Sequence, residues 1–306
     1  MKSNDTSLRI VAFKWLEEQV AIYGDVLPRT LLTDGFNHDG ERITFLGPQG
    51  IWKPKSFEIP LSIVTINDGP YKDTIADNGL LLYKYSGVNI NNWDNVALRK
   101  AMKQQVPLIY FFNLIKGKGL YHAIWPVFIT GDDPKSLTFT VAADDISFIK
   151  NKEITDYNNV SDSIIEITRR GYITSQVKIR LHQRSFREKV LQAYDNKCTL
   201  CRLKHRELLD AAHIIPDSDP EGEPLVTNGL SLCKLHHAAF DNNIIGIRPD
   251  YSIEVRRDVL DENDGPMLQH GIKEMNDNKI ILPSIKNNYP DLVLIEKRYK
   301  LFLKAG

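Results

Sequence analysis

The order of apolar and polar positions divides the chain into regions of different texture. Between Asp5 and Gly24 the residues Leu8, Val11, Ala12, Trp15, Leu16 and Gln19 recur at helical spacing. This predicts an amphipathic helix over residues 5–24, with Asp5 or Thr6 as N-cap, Gly24 as the stop and the apolar stripe packed on a core. From about Leu31 to Val141 the period shortens. Six runs (ERITFL, SFEIPLSIVTI, GLLLYKYSG, PLIYFFNLI, YHAIWPVFI and SLTFTVAA) are separated by Gly, Asp, Asn and Pro. Short β-rich runs with such punctuation predict a β-barrel or strongly bent sheet. One helical insert, DNVALRKAM over 94–102, interrupts them.

Residues 146–163 are polar and weakly periodic and mark a boundary. Beyond it, Ile164 to Tyr194 is helix-prone and rich in Arg, with a break expected near Gly171. The segment 195–250 is full of turn residues, as in domains where a metal takes over part of the work of a core. A last helix is expected from near Pro290. The fold class is therefore α+β, in three parts: a β-rich domain over 1–150 with flanking helices, a linker with a basic helix over 151–185, and a turn-rich domain over 186–306. A chain of 306 residues is long enough for two cores.

Charge changes this picture. The 39 basic and 39 acidic side chains cancel, which at first argues against a polyanionic partner. The cancellation hides segregation: residues 169–206 hold eleven basic against two acidic residues, and residues 207–266 hold four against thirteen. A basic arm containing Arg180, Arg184, Arg187 and Lys189 is suited to phosphate contact. A solvated charged helix is the plainer alternative. No window approaches the length of a membrane span and the N-terminus lacks the apolar run of a signal peptide, so a cytoplasmic protein is expected.

The three cysteines sit in one stretch. Cys198 and Cys201 are spaced C-x2-C, and Cys233 with His236 forms C-x2-H, with 31 residues between Cys201 and Cys233. A lone cysteine is usually a small buried hydrophobe, whereas two such knuckles supply the four ligands of a structural Zn2+ site with no open position. Between and after them lie DAAHIIP at 210–216 and EPLVTNGLSLCKLHHAAFD at 223–241. Over about 186–250 the chain resembles the HNH, or ββα-metal, endonuclease family, of the modification-dependent restriction type. The resemblance implies His213, Asn228 and His237 as signature positions beside the zinc knuckles.

Phosphodiester hydrolysis needs an activated water and a cation on the phosphate and the leaving 3′ oxygen. A neutral His213 can accept a proton from water. His237 can ligate a divalent ion, and Asn228 can hydrogen-bond backbone to hold the strand bearing His213. Many relatives carry Asp just before the base histidine; here that residue is Ala212. Asp210, on the same side of an extended strand, and Asp241, one helical turn beyond His237, are the alternative carboxylates. Such a site suits Mg2+, and Mn2+ or Ni2+ would also tolerate the imidazole.

Target choice is then expected in the other half. Its order of GLLLYKYSG, an Asn-rich loop, DNVALRKAM and a Pro-led strand is similar to the SRA branch of the PUA-like fold, which reads modified cytosine in double-stranded DNA by flipping the base. Such a pocket needs stacking aromatics and polar groups. Trp52, Tyr71 and Trp93 are candidates with Asp68, and Lys53 and Lys55 form a candidate phosphate-contacting loop. The reading is an HNH endonuclease of modified DNA such as methylated or hydroxymethylated cytosine. The two alternatives are an HNH nuclease with a ligand- or protein-sensing N-terminal domain, and a non-catalytic zinc-stabilised DNA-binding protein. Cutting both strands points to a homodimer, with the helix bearing an exposed Trp15 and the C-terminal helix as candidate surfaces.

Overall fold

The structure is a computed structural model that describes residues 3–66, 80–144, 164–263 and 265–305. It divides into two compact units, residues 1–181 and 182–306.

The first unit opens with helix α1 (Ser3–Tyr23), closed by Gly24 at φ +78°. The helix starts before the expected caps, so Asp5 lies in its first turn. It is a buried anchor: its carboxylate takes a hydrogen bond from Arg9 at 3.0 Å and one from the Glu58 amide at 2.9 Å. The Arg9 guanidinium also donates to the carbonyls of Pro60 and Pro107 at 3.0 Å, which ties α1 to the sheet. Trp15 is not an exposed docking residue. It stacks on Phe45 at 4.8 Å and Phe36 at 5.5 Å.

Next come β1 (Val26–Pro28), α2 (Arg29–Asp34), β2 (Phe36–His38), β3 (Glu41–Ile43), β4 (Ile51–Trp52), β5 (Ser62–Ile66) and β6 (Leu81–Lys84). Helix α3 (Trp93–Lys103) precedes the three longer strands β7 (Leu108–Ile115), β8 (Leu120–Asp133) and β9 (Thr138–Ala143). The main sheet has seven strands in the order β4-β5-β7-β8-β9-β6, with β1 added on β8. Among the described strands only β5 and β7 pair parallel. A register shift between Ile129 and Gly131 bends the long β8. Among the described residues the ends do not pair into a closed barrel, but the buried Tyr83 hydroxyl of β6 donates to the Gly50 carbonyl beside β4 at 3.1 Å. The sheet is thus a curled half-barrel. Strand β7 is apolar except for the buried Asn113, as fits a strand covered on both faces. Ile109 and Phe111 face α1, and Leu108, Tyr110 and Phe112 face α3.

Helix α4 (Ile164–Ala193) is continuous for 30 residues, so the break expected at Gly171 does not occur. The division between the two units falls within it. The second unit is built on a hairpin of β10 (Leu209–His213) and β11 (Gly229–Cys233), followed at once by helix α5 (Lys234–Asp241). A second hairpin of β12 (Ile245–Ile247) and β13 (Ile253–Val255) follows, then α6 (Arg257–Asp261), α7 (Pro266–Gly271) and the C-terminal α8 (Leu292–Leu303). Asp291 caps α8, accepting from the amides of Val293 and Leu294, where the helix was expected. Phe186, Val190, Leu191 and Tyr194 of α4 pack with both hairpins and Phe240 into one core. Among the described residues no helix is long and apolar enough to cross a membrane.

Candidate active site and metal centre

The two knuckles converge. The ligand atoms of Cys198, Cys201, Cys233 and His236 lie within 4.8 Å of one another. His236 Nδ1 is 3.4 Å from Cys198 Sγ and 3.2 Å from Cys233 Sγ, and the sulfurs of Cys201 and Cys233 are 3.9 Å apart. Four ligands ~2.0–2.3 Å from a common centre at tetrahedral angles stand ~3.5–3.8 Å from each other, so the donor set fits a metal ion such as zinc. The other imidazole nitrogen, Nε2, donates to the Gly271 carbonyl of α7 at 2.7 Å, which leaves Nδ1 its lone pair for the ion. Thiols this close do not ionise independently. Contact with Cys198 holds Cys233 far below the usual thiol range, while Cys198 and Cys233 drive Cys201 far above it. A central cation removes that conflict, since thiolate is the ligand form. The first knuckle turns through Arg202 at φ +66° and is tied to β11 by the Thr199 amide on the Ser231 carbonyl at 2.7 Å.

Pairing of β10 with β11 sets Leu209 opposite Cys233 and His213 opposite Gly229. The hairpin therefore carries the metal knuckle at one end and His213 at the other. Gly229 is required there, because a Cβ would stand 2.4 Å from Val190 Cγ2 and 3.0 Å from Phe186 Cζ of α4. That closeness brings Phe186 under the His213 ring, stacked at 4.0 Å. Burial holds His213 below the ordinary histidine pKa. Its Nε2 lies 2.7 Å from Asp217 Oδ1, off the line of an N–H bond, so the contact is close and polar but not an aligned hydrogen bond.

Asn228 is 1 % exposed and spends its amide on backbone. Its Oδ1 accepts from the Ile215 amide at 2.9 Å, and its Nδ2 donates to the carbonyls of Ile215 at 2.9 Å and Glu223 at 3.0 Å. The loop leaving His213 is thereby closed on itself. Gly222 completes the closure, since a Cβ there would meet the Pro216 carbonyl oxygen at 1.9 Å. Lys297 of α8 clamps the same loop, donating to Asp219 at 3.1 Å and Glu221 at 3.2 Å.

His237 lies between two carboxylates, with Nε2 3.3 Å from Asp241 and Nδ1 4.0 Å from Asp210. Asp210 is shared with two cations: Lys234 donates to Oδ2 at 2.9 Å, and Arg187 Nε is 3.4 Å from Oδ1. Burial opposes ionisation there, but Lys234 and then Arg187 hold the carboxyl below its ordinary pKa.

The expected DNA-contacting residues divide. Arg187 is occupied within the unit, by Glu188 at 2.9 Å and the carbonyls of Arg206 and Leu209. Lys53 donates to the Phe57 carbonyl at 2.9 Å, so neither is an open phosphate-gripping arm. Lys189 and Lys55 are exposed, Arg184 is half-buried, and the side chain of Arg180 lies outside the described ones. Of the candidate base readers, Tyr71 and Asp68 lie outside the described residues. Trp52 is a packing residue, its Nε1 donating to Thr44 at 3.1 Å and its ring against Gly47. Trp93 stands 52 % exposed. Reading the sequence missed Asp217, Lys234 and Lys297. The spacing of Asp217 to His213 was visible, but the turn that brings them together was not.

Residues 198–248 match the HNH endonuclease family. The second unit therefore carries an HNH endonuclease domain, and the protein is a nuclease that hydrolyses DNA. Among solved structures, the modification dependent TagI restriction endonuclease is similar at 13 % identity and a TM-score of 0.27, over 78 % of this chain and 80 % of that one. No curated protein matches the chain.

Proposed function

We propose that the protein is a cytoplasmic, modification-dependent restriction endonuclease: the HNH unit cleaves double-stranded DNA, and the half-barrel unit selects modified sites. The observation that carries this reading is the meeting of a half-buried, neutral-favoured His213 with the Asp210, His237 and Asp241 cluster beside the Cys3His centre. Zn2+ in the Cys3His centre is structural, holding the hairpin to the first turn of α5. His237, Asp210 and Asp241 would hold a divalent cation, Mg2+ or else Mn2+ or Ni2+, which when bound supplies positive charge to the phosphate and the leaving oxygen. Lys234 and Arg187 keep Asp210 ionised, the state a cation ligand needs.

His213 acts as the general base, taking a proton from the attacking water. Asp217 fixes its ring from the Nε2 side and Phe186 from below. Asn228 closes the loop that carries both. Selection is assigned to the N-terminal unit, whose order of segments in the sequence resembles the SRA branch of the PUA-like fold. Cutting both strands with one site per chain calls for a homodimer or two successive nicks.

The test is cleavage, with Mg2+ or Mn2+, of plasmids that are unmodified, methylated or hydroxymethylated at cytosine, beside His213→Ala. Cleavage confined to modified plasmids and lost in His213→Ala is expected, the loss being ~10²-fold or more. Equal cleavage of all plasmids would end the modification-dependent reading while leaving the nuclease.

A further inference from the structure

The loop between β6 and α3 is built inside out. A solvated loop normally turns its polar side chains to water, but here those of Ser86, Asn92, Asp94 and Asn95 bond within the loop while Val88, Ile90, Trp93 and Val96 face out. Asn95 is fully buried: its Oδ1 accepts from the Ser86 amide at 2.9 Å, and its Nδ2 donates to the carbonyls of Ser86 at 3.2 Å and Asn89 at 2.9 Å. Asn92 donates to the Ser86 carbonyl at 3.1 Å and accepts from the Asp94 amide at 3.3 Å. Arg99 reaches back to the Ile90 carbonyl at 2.6 Å. On this braced frame Val88 is 85 % exposed, Trp93 52 %, Val96 49 % and Ile90 42 %. Ordered backbone under an exposed apolar cluster marks an interaction surface.

The helix continues the pattern with a change of chemistry. Trp93, Val96, Lys100 and Lys103 stand at i, i+3, i+7 and i+10, one face of α3, and both lysines are exposed. Among the described residues Lys100 makes a long contact to Glu58, 3.9 Å, of the kind that contributes little. Seven to ten residues of helix span ~10–15 Å, comparable with the ~12 Å width of a B-form major groove. An apolar end followed by a cationic end complements stacked bases flanked by phosphate, whereas an apolar protein partner would have no use for the lysine row.

We propose that this tip is a DNA-binding wedge, with Trp93, Val96, Val88 and Ile90 set against the bases in a groove and Lys100 and Lys103 on the adjacent phosphates. The inference rests on the nuclease reading and moves Trp93 from a base-enclosing pocket to the outer contact surface.

Its test uses the full chain with His213→Ala, so that the probe stays intact, and measures anisotropy on short duplexes with and without 5-methylcytosine over a range of salt. Trp93→Ala is expected to weaken binding ~10-fold with the salt slope unchanged, and Trp93→Phe to recover most of it. Lys100→Ala with Lys103→Ala is expected to reduce the slope by about 2. Val88→Ser, at a fully solvated position, repeats the apolar loss without any risk to the core. Parent-like affinity and slope in all these variants overturn the wedge and leave the nuclease reading intact. Self-association lost in Trp93→Ala with duplex affinity kept overturns it in favour of a second copy. A parent chain that binds neither duplex overturns both readings.

Discussion

At the scale of single residues, burial decides what His213 can do. A histidine that accepts a proton from water must be neutral, and burial against Phe186 favours the neutral ring. Activity rises as pH climbs through the His213 pKa, and that value is lowered, so the acid limb of kcat/KM is expected below the usual histidine midpoint of ~6.5. The same shift makes a stability statement. The unfolded chain takes up this proton more readily than the folded one, so the contribution of His213 is level above ~6.5 and falls as pH drops from there through the folded value. Asp217 acts in the opposite direction, its charge raising the His213 pKa. Asp217→Asn is expected to move the acid limb to still lower pH and to reduce kcat ~10-fold with KM little changed, with Asp217→Glu restoring part of it. An unshifted limb in Asp217→Asn would show that the contact at 2.7 Å has no part in catalysis. In the sequence His213 and Asp217 are two polar residues flanking Ile214, Ile215 and Pro216, and only the turn after β10 made them partners.

At the scale of elements, the hairpin and α5 work as one piece because the metal ligands and the reactive residues alternate along it. Cys233 ends β11 and begins α5, so His236 and His237 follow within the first turn. His236 is buried towards the sulfurs, and its neighbour faces Asp210 and Asp241. Removing the metal should therefore unfold the piece and not merely silence it. Chelation, or Cys198→Ser, is expected to abolish the cooperative melt of the second unit and cleavage together, which calorimetry and far-UV circular dichroism would follow. A second unit that melts unchanged after chelation would rule out a structural metal. Gly229→Ala tests the packing of β11 on α4. The added methyl meets Val190 and Phe186, so a loss of ~1–3 kcal/mol is expected in denaturant titration, with activity falling as the Phe186 support of His213 shifts. The spacing of the ligands was legible in the sequence, because C-x2-C and C-x2-H are local geometry. The continuity of α4 through Gly171 was not. One glycine costs about 1 kcal/mol in a helix, and packing on two cores over 30 residues outweighs that.

At the scale of the whole molecule, the charge segregation acquires positions. Residues 169–206 are strongly basic by count, yet three of these arginines are paired with carboxylates of the protein itself. Arg170 pairs with buried Asp144 at 3.1 Å, Arg187 with Glu188 and Asp210, and Arg206 with Glu188 at 2.5 Å. Among the described side chains of this stretch, Lys189, Arg202 and Lys204 are exposed, and so is Arg206 despite its pairing. If two copies act together on a duplex, the mass in solution on a short duplex should correspond to two chains, and a monomer that makes only successive nicks would contradict the homodimer. By itself the sequence determined the existence of the Cys3His ligand set, the HNH signature, the helices α1, α3 and α8 and the β-rich first half. Each of these rests on residues within one or two turns or strands of each other, where periodicity and spacing are set by the backbone. Only the tertiary structure decided that Trp15, Trp52 and Asp5 are packing residues, that Trp93 is a surface one, that Arg187 supports Asp210, and that Asp217 lies against His213. Burial and ion pairing are settled by neighbours brought in from elsewhere in the chain, and no local pattern of residues encodes which neighbours those will be.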